Sequence, residues 1–246
     1  MKTRSFALLL TLMIGAVPVL AQETEEEAPE PIWTGSLGLA YLATSGNSDT
    51  TTFGLDFTTE RKPTPWGLTI KGKFNRADEN GIKTAERYLL GGRARRALGD
   101  RWELFAGLSA EKDIFAGYDL LFLVESGLTY RALTGPKHLL SFDGGLTWTD
   151  ENRVPPEADV SYVGAILGLS YEWKISDNAS LTQILGYYPN FDDSSDWRLN
   201  SETGLQTAVN SWFAVKLGYE VRFRNKPIGD NDDTDTTTTA SVVFTF

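Results

Sequence analysis

The sequence has no cysteine, one histidine and two methionines. Without cysteine there are no disulfides, no thiol nucleophile, no zinc–thiolate site and no thiol for a lipid anchor. An exported chain of this composition is held by hydrogen bonding and packing alone. The lone histidine, His138 in "TGPKHLL", leaves little material for acid–base or redox-metal chemistry. It falls at a short predicted turn on the apolar set of its strand, a place that suits an interfacial residue better than a base. No Gly-x-Ser-x-Gly elbow is present. Basic residues number 23 against 33 acidic ones, which argues against a nucleic-acid partner. From Trp33 onward there is no convincing amphipathic helix.

The long apolar run that does exist lies at the start. Residues 1–21, "MKTRSFALLLTLMIGAVPVLA", begin with Lys2 and Arg4, continue apolar from Phe6 to Leu20 and finish on small residues. This is the layout of an export signal peptide, with Val19-Leu20-Ala21 as the expected cleavage signal. Its loss takes two basic residues with it, so the formal charge moves from −10 to −12. Five glutamates and two prolines in "ETEEEAPEP" make 22–32 an acidic, disordered leader. One domain is expected over 33–246.

That domain reads as twelve alternating runs separated by turn residues, at about 33–45, 50–61, 66–77, 84–97, 101–112, 118–132, 138–149, 160–175, 179–189, 196–208, 212–224 and 235–246. Even-numbered connections are short: "KPTP", "LGD", "LTGPK", "SDN" and "VNS". Odd-numbered ones are mostly longer and polar: "ADENGIKT", "KDIFAG", "DENRVPPEAD", "NFDDSSD" and "KPIGDNDDTD". Short turns at one end and longer loops at the other are the layout of an all-β, closed, up-and-down antiparallel transmembrane barrel.

The two faces of each run decide between lipid and water outside. In 212–224, Phe213, Val215, Leu217, Tyr219, Val221 and Phe223 alternate with Trp212, Lys216, Gly218, Glu220, Arg222 and Arg224. An apolar exterior around a charged lumen fits this better than a soluble core. All seven tryptophans fall within a few residues of a predicted turn or loop, as the bilayer interface selects. Strands exposed to hydrocarbon must pair every backbone group, so the first must close on the last. The lumen-facing charged candidates are Lys71, Lys73, Arg93, Arg95, Glu103, Glu125, Arg131, Asp143, Glu172, Arg198, Glu202, Lys216, Glu220 and Arg222. Val242, Phe244 and Phe246 form a candidate assembly signal, read at a strand edge by the outer-membrane assembly machinery.

"TSGNSDTTTFGLDF" at 44–57, following "GLAYLA" and taken with the export signal and the closing "FTF", resembles the salt-induced outer-membrane protein family, long carried as a domain of unknown function. The resemblance implies an outer-membrane β-barrel of a diderm, Gram-negative bacterium. It supplies no established substrate and no catalytic residue. On the residues alone, Gly46 to Asp49 is a tight turn into Thr50, Thr51 and Thr52, which accounts for the segment without a ligand.

These readings lead to a monomeric, narrow, pore-like barrel for passive passage of small solutes or ions, with a salt or osmotic-stress link implied by the resemblance. The alternative is a non-conducting structural or surface-interaction barrel with a salt-bridged lumen, and an outer-membrane hydrolase ranks a distant third. No cofactor or metal is expected. "DNDDTD" at 230–235 lacks the spacing of a Ca²⁺ loop and reads as a solvated acidic loop able to bridge to lipopolysaccharide through divalent ions. The other partners expected are outer-membrane lipid and, during insertion, the assembly machinery.

Overall fold

The computed structural model describes residues 32–44 and 50–246. The export segment 1–21, the acidic leader up to residue 31 and the turn Gly46 to Asp49 lie outside the described residues. Twelve strands form among those described: β1 (Trp33–Thr44), β2 (Thr50–Arg61), β3 (Trp66–Glu79), β4 (Ile82–Ala97), β5 (Trp102–Asp113), β6 (Tyr118–Thr134), β7 (His138–Arg153), β8 (Val160–Lys174), β9 (Ala179–Pro189), β10 (Trp197–Ala208), β11 (Phe213–Arg224) and β12 (Thr234–Thr245). Each pairs antiparallel with its sequence neighbours, and β12 returns to β1 to close the barrel.

The strands run further toward the loop end than alternation alone suggests. β3 reaches Glu79 and β4 starts at Ile82, so most of the expected "ADENGIKT" loop is ladder. Only Asn80 and Gly81 turn the corner, both at positive φ, 51° and 78°. That is the conformation of a two-residue hairpin whose twist matches its strands. Past the apolar band both faces of a strand meet water, so the hydrophobic alternation that marks a strand disappears while the backbone ladder continues. Arg76 paired to Asp78 at 2.7 Å and Lys83 to Glu86 at 2.8 Å decorate this extension.

The outer wall is apolar. Leu90, Leu108, Leu146, Leu167 and Leu217 are each more than half exposed. Aromatic clusters rim it at both ends. Phe53, Phe74 and Tyr88 form one chain near the loop end on β2–β4, and Tyr187, Trp197 and Phe223 form a separate one on β9–β11. At the short-turn end Trp102 packs on Tyr130 and His138 stacks on Trp173. Trp212 corrects one expectation: it does not share the inner face of β11 but precedes the strand, 57% exposed, its ring stacked on Phe244. Its amide is held by Asn210 Oδ1 at 3.0 Å. Within such a turn, strand parity no longer decides which way a side chain points.

Candidate functional site

Residues facing each other across a ladder project to the same side of the sheet. Lys73 faces Asp56 on β2 and Leu89 on β4, and Lys71 faces Thr58 and Gly91. The same register puts Arg93 and Arg95 of β4, Glu103 of β5, Glu125 and Arg131 of β6, Asp143 of β7 and Glu172 of β8 on the inward side. Arg198 and Glu202 of β10 and Lys216, Glu220 and Arg222 of β11 join them. The charges then sort into groups along the barrel.

Near the short turns, Arg95 meets Glu60 at 3.1 Å and also contacts Thr69, while Arg131 pairs with the buried Glu103. Higher on the β4–β7 wall, Arg93 holds Glu125 at 2.7 Å and Asp143 at 2.5 Å, and its guanidinium lies over the Phe105 ring. Thr129 donates its hydroxyl to the same Asp143 at 2.6 Å.

The next group crosses the lumen. Lys73 passes over its ladder neighbour Asp56 and reaches Glu220 at 2.7 Å and Glu202 at 3.3 Å on β11 and β10. Arg87 of β4 joins Glu111 at 2.8 Å and Glu220 at 2.7 Å. Arg222 of β11 reaches Glu111 at 3.0 Å and Asp113 at 2.9 Å on β5, half-way round the ring. Glu202 and Glu220 face each other directly, and Lys73 bridges the two, so each charge of the group meets at least one opposite neighbour, the condition for holding charges away from bulk water.

A tighter knot closes the loop end. Glu151, with no exposed surface, accepts from Arg224 at 3.0 Å, from Arg153 at 2.8 Å and from the Tyr162 hydroxyl at 2.9 Å. Arg224 also donates to Asp196 at 2.7 Å and to the Tyr118 hydroxyl at 2.8 Å. Beside the knot is a cavity of about 250 Å³ lined in part by Arg198, Asn200, Arg222 and Asp235. Arg198 and Lys71 make no ion pair among the described residues. Arg198 rests on the Tyr188 ring with its Nε buried and unpartnered, while Lys71 stands exposed to the lumen.

Sequence reasoning missed Arg87, Asp113, Glu151 and Asp196. Arg87 was recoverable, since it continues the inward parity of Arg93 and Arg95. Asp113, Glu151 and Asp196 sit in stretches that read as loops. No sequence signal announces that Lys73 prefers a carboxylate across the lumen to the one beside it.

A closed antiparallel barrel with an apolar outer wall, aromatic rims and a charged interior defines an outer-membrane β-barrel, a class that includes porins and channels. Residues 37–246 match the family described as "Protein of unknown function, DUF481", and the chain belongs to that family. A relative, the "Uncharacterized protein YdiY" of Escherichia coli (strain K12), is 30% identical over 213 residues, covering 85% of this chain and 82% of its own. Among solved structures, the COG4313 outer membrane channel from Pseudomonas putida F1 superposes with a TM-score of 0.54 at 13% identity, covering 92% of this chain and 100% of its own. At that identity the likeness is one of fold. The translocator domain of the autotransporter NalP from Neisseria meningitidis is similar at a TM-score of 0.49, with 12% identity over 89% of this chain and 90% of its own.

Proposed function

We propose that this barrel is a narrow passage for small polar or charged solutes, constricted by the cross-lumen ion pairs. The observation that carries this reading is the ring in which Lys73, Arg87, Glu111, Glu202, Glu220 and Arg222 meet from opposite walls. A constriction of alternating, partly wet charge lets ions exchange partners, whereas an apolar plug would exclude them. Lys73 and Glu202 keep 23% and 37% of their side-chain surface exposed, so water reaches this ring.

A second reading rests on the same bridges. Arg222 to Glu111 spans the full lumen, and if such bridges never part the barrel is structural. Planar-bilayer recording separates the two. Wild-type protein should give small, ion-selective steps, and Lys73→Gln should raise unit conductance about twofold by freeing one spoke of the ring. No current from either protein at any salt concentration would leave the structural reading. The resemblance implies a salt or osmotic-stress link, and if that link works through the ring itself, conductance should rise more steeply than bulk conductivity as screening loosens partly solvated pairs.

The chain acts without enzymatic chemistry in this reading. His138 lies on the outer wall with Nδ1 2.9 Å from the Tyr171 hydroxyl, stacked between aromatic rings rather than beside a nucleophile. The protein is taken to be exported by residues 1–21, inserted as a monomer and seated in lipopolysaccharide-bearing membrane with its short turns toward the periplasm. Val242, Phe244 and Phe246 serve as its assembly signal in the same account. In support, Phe246 exchanges both backbone hydrogen bonds with Gly35, at 2.9 and 3.1 Å.

A further inference from the structure

The ladder that closes the barrel is short. Gly35 faces Phe246 and exchanges two hydrogen bonds with it, and pairing continues to Leu39 opposite Val242. Among the described residues no pair joins β1 and β12 beyond that point, although β1 stays paired to β2 as far as Thr44 and β12 to β11 as far as Thr234. Antiparallel ladders alternate hydrogen-bonded and non-bonded pairs. The next bonded pairs would be Tyr41 with Ala240 and Ala43 with Thr238. Those backbone groups have no partner across the seam among the described residues, and this unzipped stretch on the loop-end half of the wall forms an opening in the ladder.

Three further observations bear on this opening. Outside it, β12 presents Thr234, Thr236 and Thr238 where the paired β11 positions carry Phe223, Val221 and Tyr219, so the apolar band is notched beside the seam. Inside it the lining is small: Gly54, Ala40, Thr239, Ser241 and Gly218. Along the row that crosses the strands at the opening, Asn75, Gly54 and Ala40 continue into Ser241, Lys216 and Gln206. Lys216 has a single long ion pair, 3.5 Å to Glu202, and so retains capacity for another anion.

Unpaired backbone in contact with hydrocarbon is costly, and a threonine-walled notch lowers that cost by admitting headgroups and water. We infer that the β1–β12 seam is a lateral portal between bilayer and lumen for a single-chain amphiphile with an anionic head, such as a fatty acid. The head engages Lys216 while the chain stays in lipid. The portal is independent of conductance through the central ring, so loss of one reading leaves the other standing.

The absence of cysteine makes the test clean. Bimane is attached at Thr239→Cys, inside the seam, and at Thr147→Cys, on the inner face of the fully paired β7, and each variant is placed in vesicles with brominated acyl chains. The portal predicts severalfold stronger quenching at position 239 than at 147, relieved by added oleate in a saturable way, with Lys216→Gln weakening that relief tenfold. Tying the seam through Ala40→Cys with Ser241→Cys, by disulfide or short bis-maleimide, should abolish the quenching. The same tie at Ser36→Cys with Thr245→Cys, inside the existing ladder, should leave it intact. Equal quenching at 239 and 147, or quenching indifferent to the upper tie, overturns the proposal. Amide exchange of the untied protein in bicelles is an independent measurement of the same opening: fast exchange is expected at the amides of Thr238 and Ala240, which point across the seam, against slow exchange at Thr239 and Ser241, which point into the β11 ladder. Equally slow exchange at all four would show a zipped seam and also overturn the proposal.

Discussion

The wall formed by β5–β8 and the wall where β1 meets β12 are built of the same kind of amphipathic strand and hold together in different ways. The β6–β7 ladder runs unbroken in direction from Thr134 opposite Leu139 to Tyr118 opposite Arg153, with bulges at either end. Behind it Phe105, Leu121, Leu123, Tyr162 and Ile166 are buried inward, interleaved with the Arg93 and Glu151 networks. Gly127 and Gly145 face each other so closely that a methyl on Gly127 would come within 2.6 Å of Gly145 Cα. The seam has the short ladder instead, and no aromatic residue faces inward from β11 or β12. The larger buried side chains are therefore concentrated on one side of the barrel, and the seam is the side with fewer ties.

Four experiments probe that contrast, from the largest expected effect downward. Glu151→Ala should cost about 3–5 kcal/mol, because it strands Arg153 and takes from Arg224 one of its two carboxylates in a buried site. Reversible urea unfolding in lipid vesicles measures it, and a loss below about 1 kcal/mol would mean the knot is solvated. Phe105→Ala should cost on the order of 3 kcal/mol by opening a cavity beneath Arg93 in the same assay. Were it as mild as a seam substitution, the two walls would not differ as described.

Deletion of Phe246 acts on the other side. It removes one pair of backbone hydrogen bonds and a ring packed on Gly35, about 1–3 kcal/mol from finished barrels. Under the assembly-signal reading, it should nevertheless lower the yield of inserted protein severalfold, read as the heat-modifiable fraction. An equal fall in both quantities would make Phe246 merely structural. The smallest effect concerns the loop over 190–196. There Asp193 accepts from Lys226 at 2.6 Å and from Ser195, which hold its carboxyl well below the ordinary aspartate range. A lowered value stabilises the loop above the free aspartate's titration and is lost only as pH falls through the lowered one. Amide protection at 191–195 should accordingly persist on acidification past the point where a free aspartate protonates, and Asp193→Asn should remove it at every pH.

The strands inside the bilayer were legible because lipid and lumen impose opposite chemistry on successive residues: Val215, Leu217 and Tyr219 against Lys216, Gly218 and Glu220. The same parity located the inner face of β3, with Lys71 and Lys73. Legibility stopped where that contrast stops. Asp150, Glu151, Asn152 and Arg153 are polar on both faces, so the end of β7 looked like loop although Glu151 anchors the knot. Partner choice was equally hidden, since a distance across the lumen depends on strand tilt and stagger rather than on neighbours in the chain. The short seam belongs to the same category. Alternation identifies β1 and β12 as strands without saying how far they overlap.

Lys73, Arg87 and Arg222, stretched from one wall to carboxylates on another, also give the barrel a mechanical property. A tube made of a single sheet flattens under sideways load, because bending the sheet breaks no ladder. Ties across the diameter resist flattening and swelling alike, as spokes keep a rim round, and here they lie on the loop-end side of the middle. Lateral pressure from a crowded membrane would then deform the untied short-turn half first, and the cross-section at the charged ring would stay nearly constant.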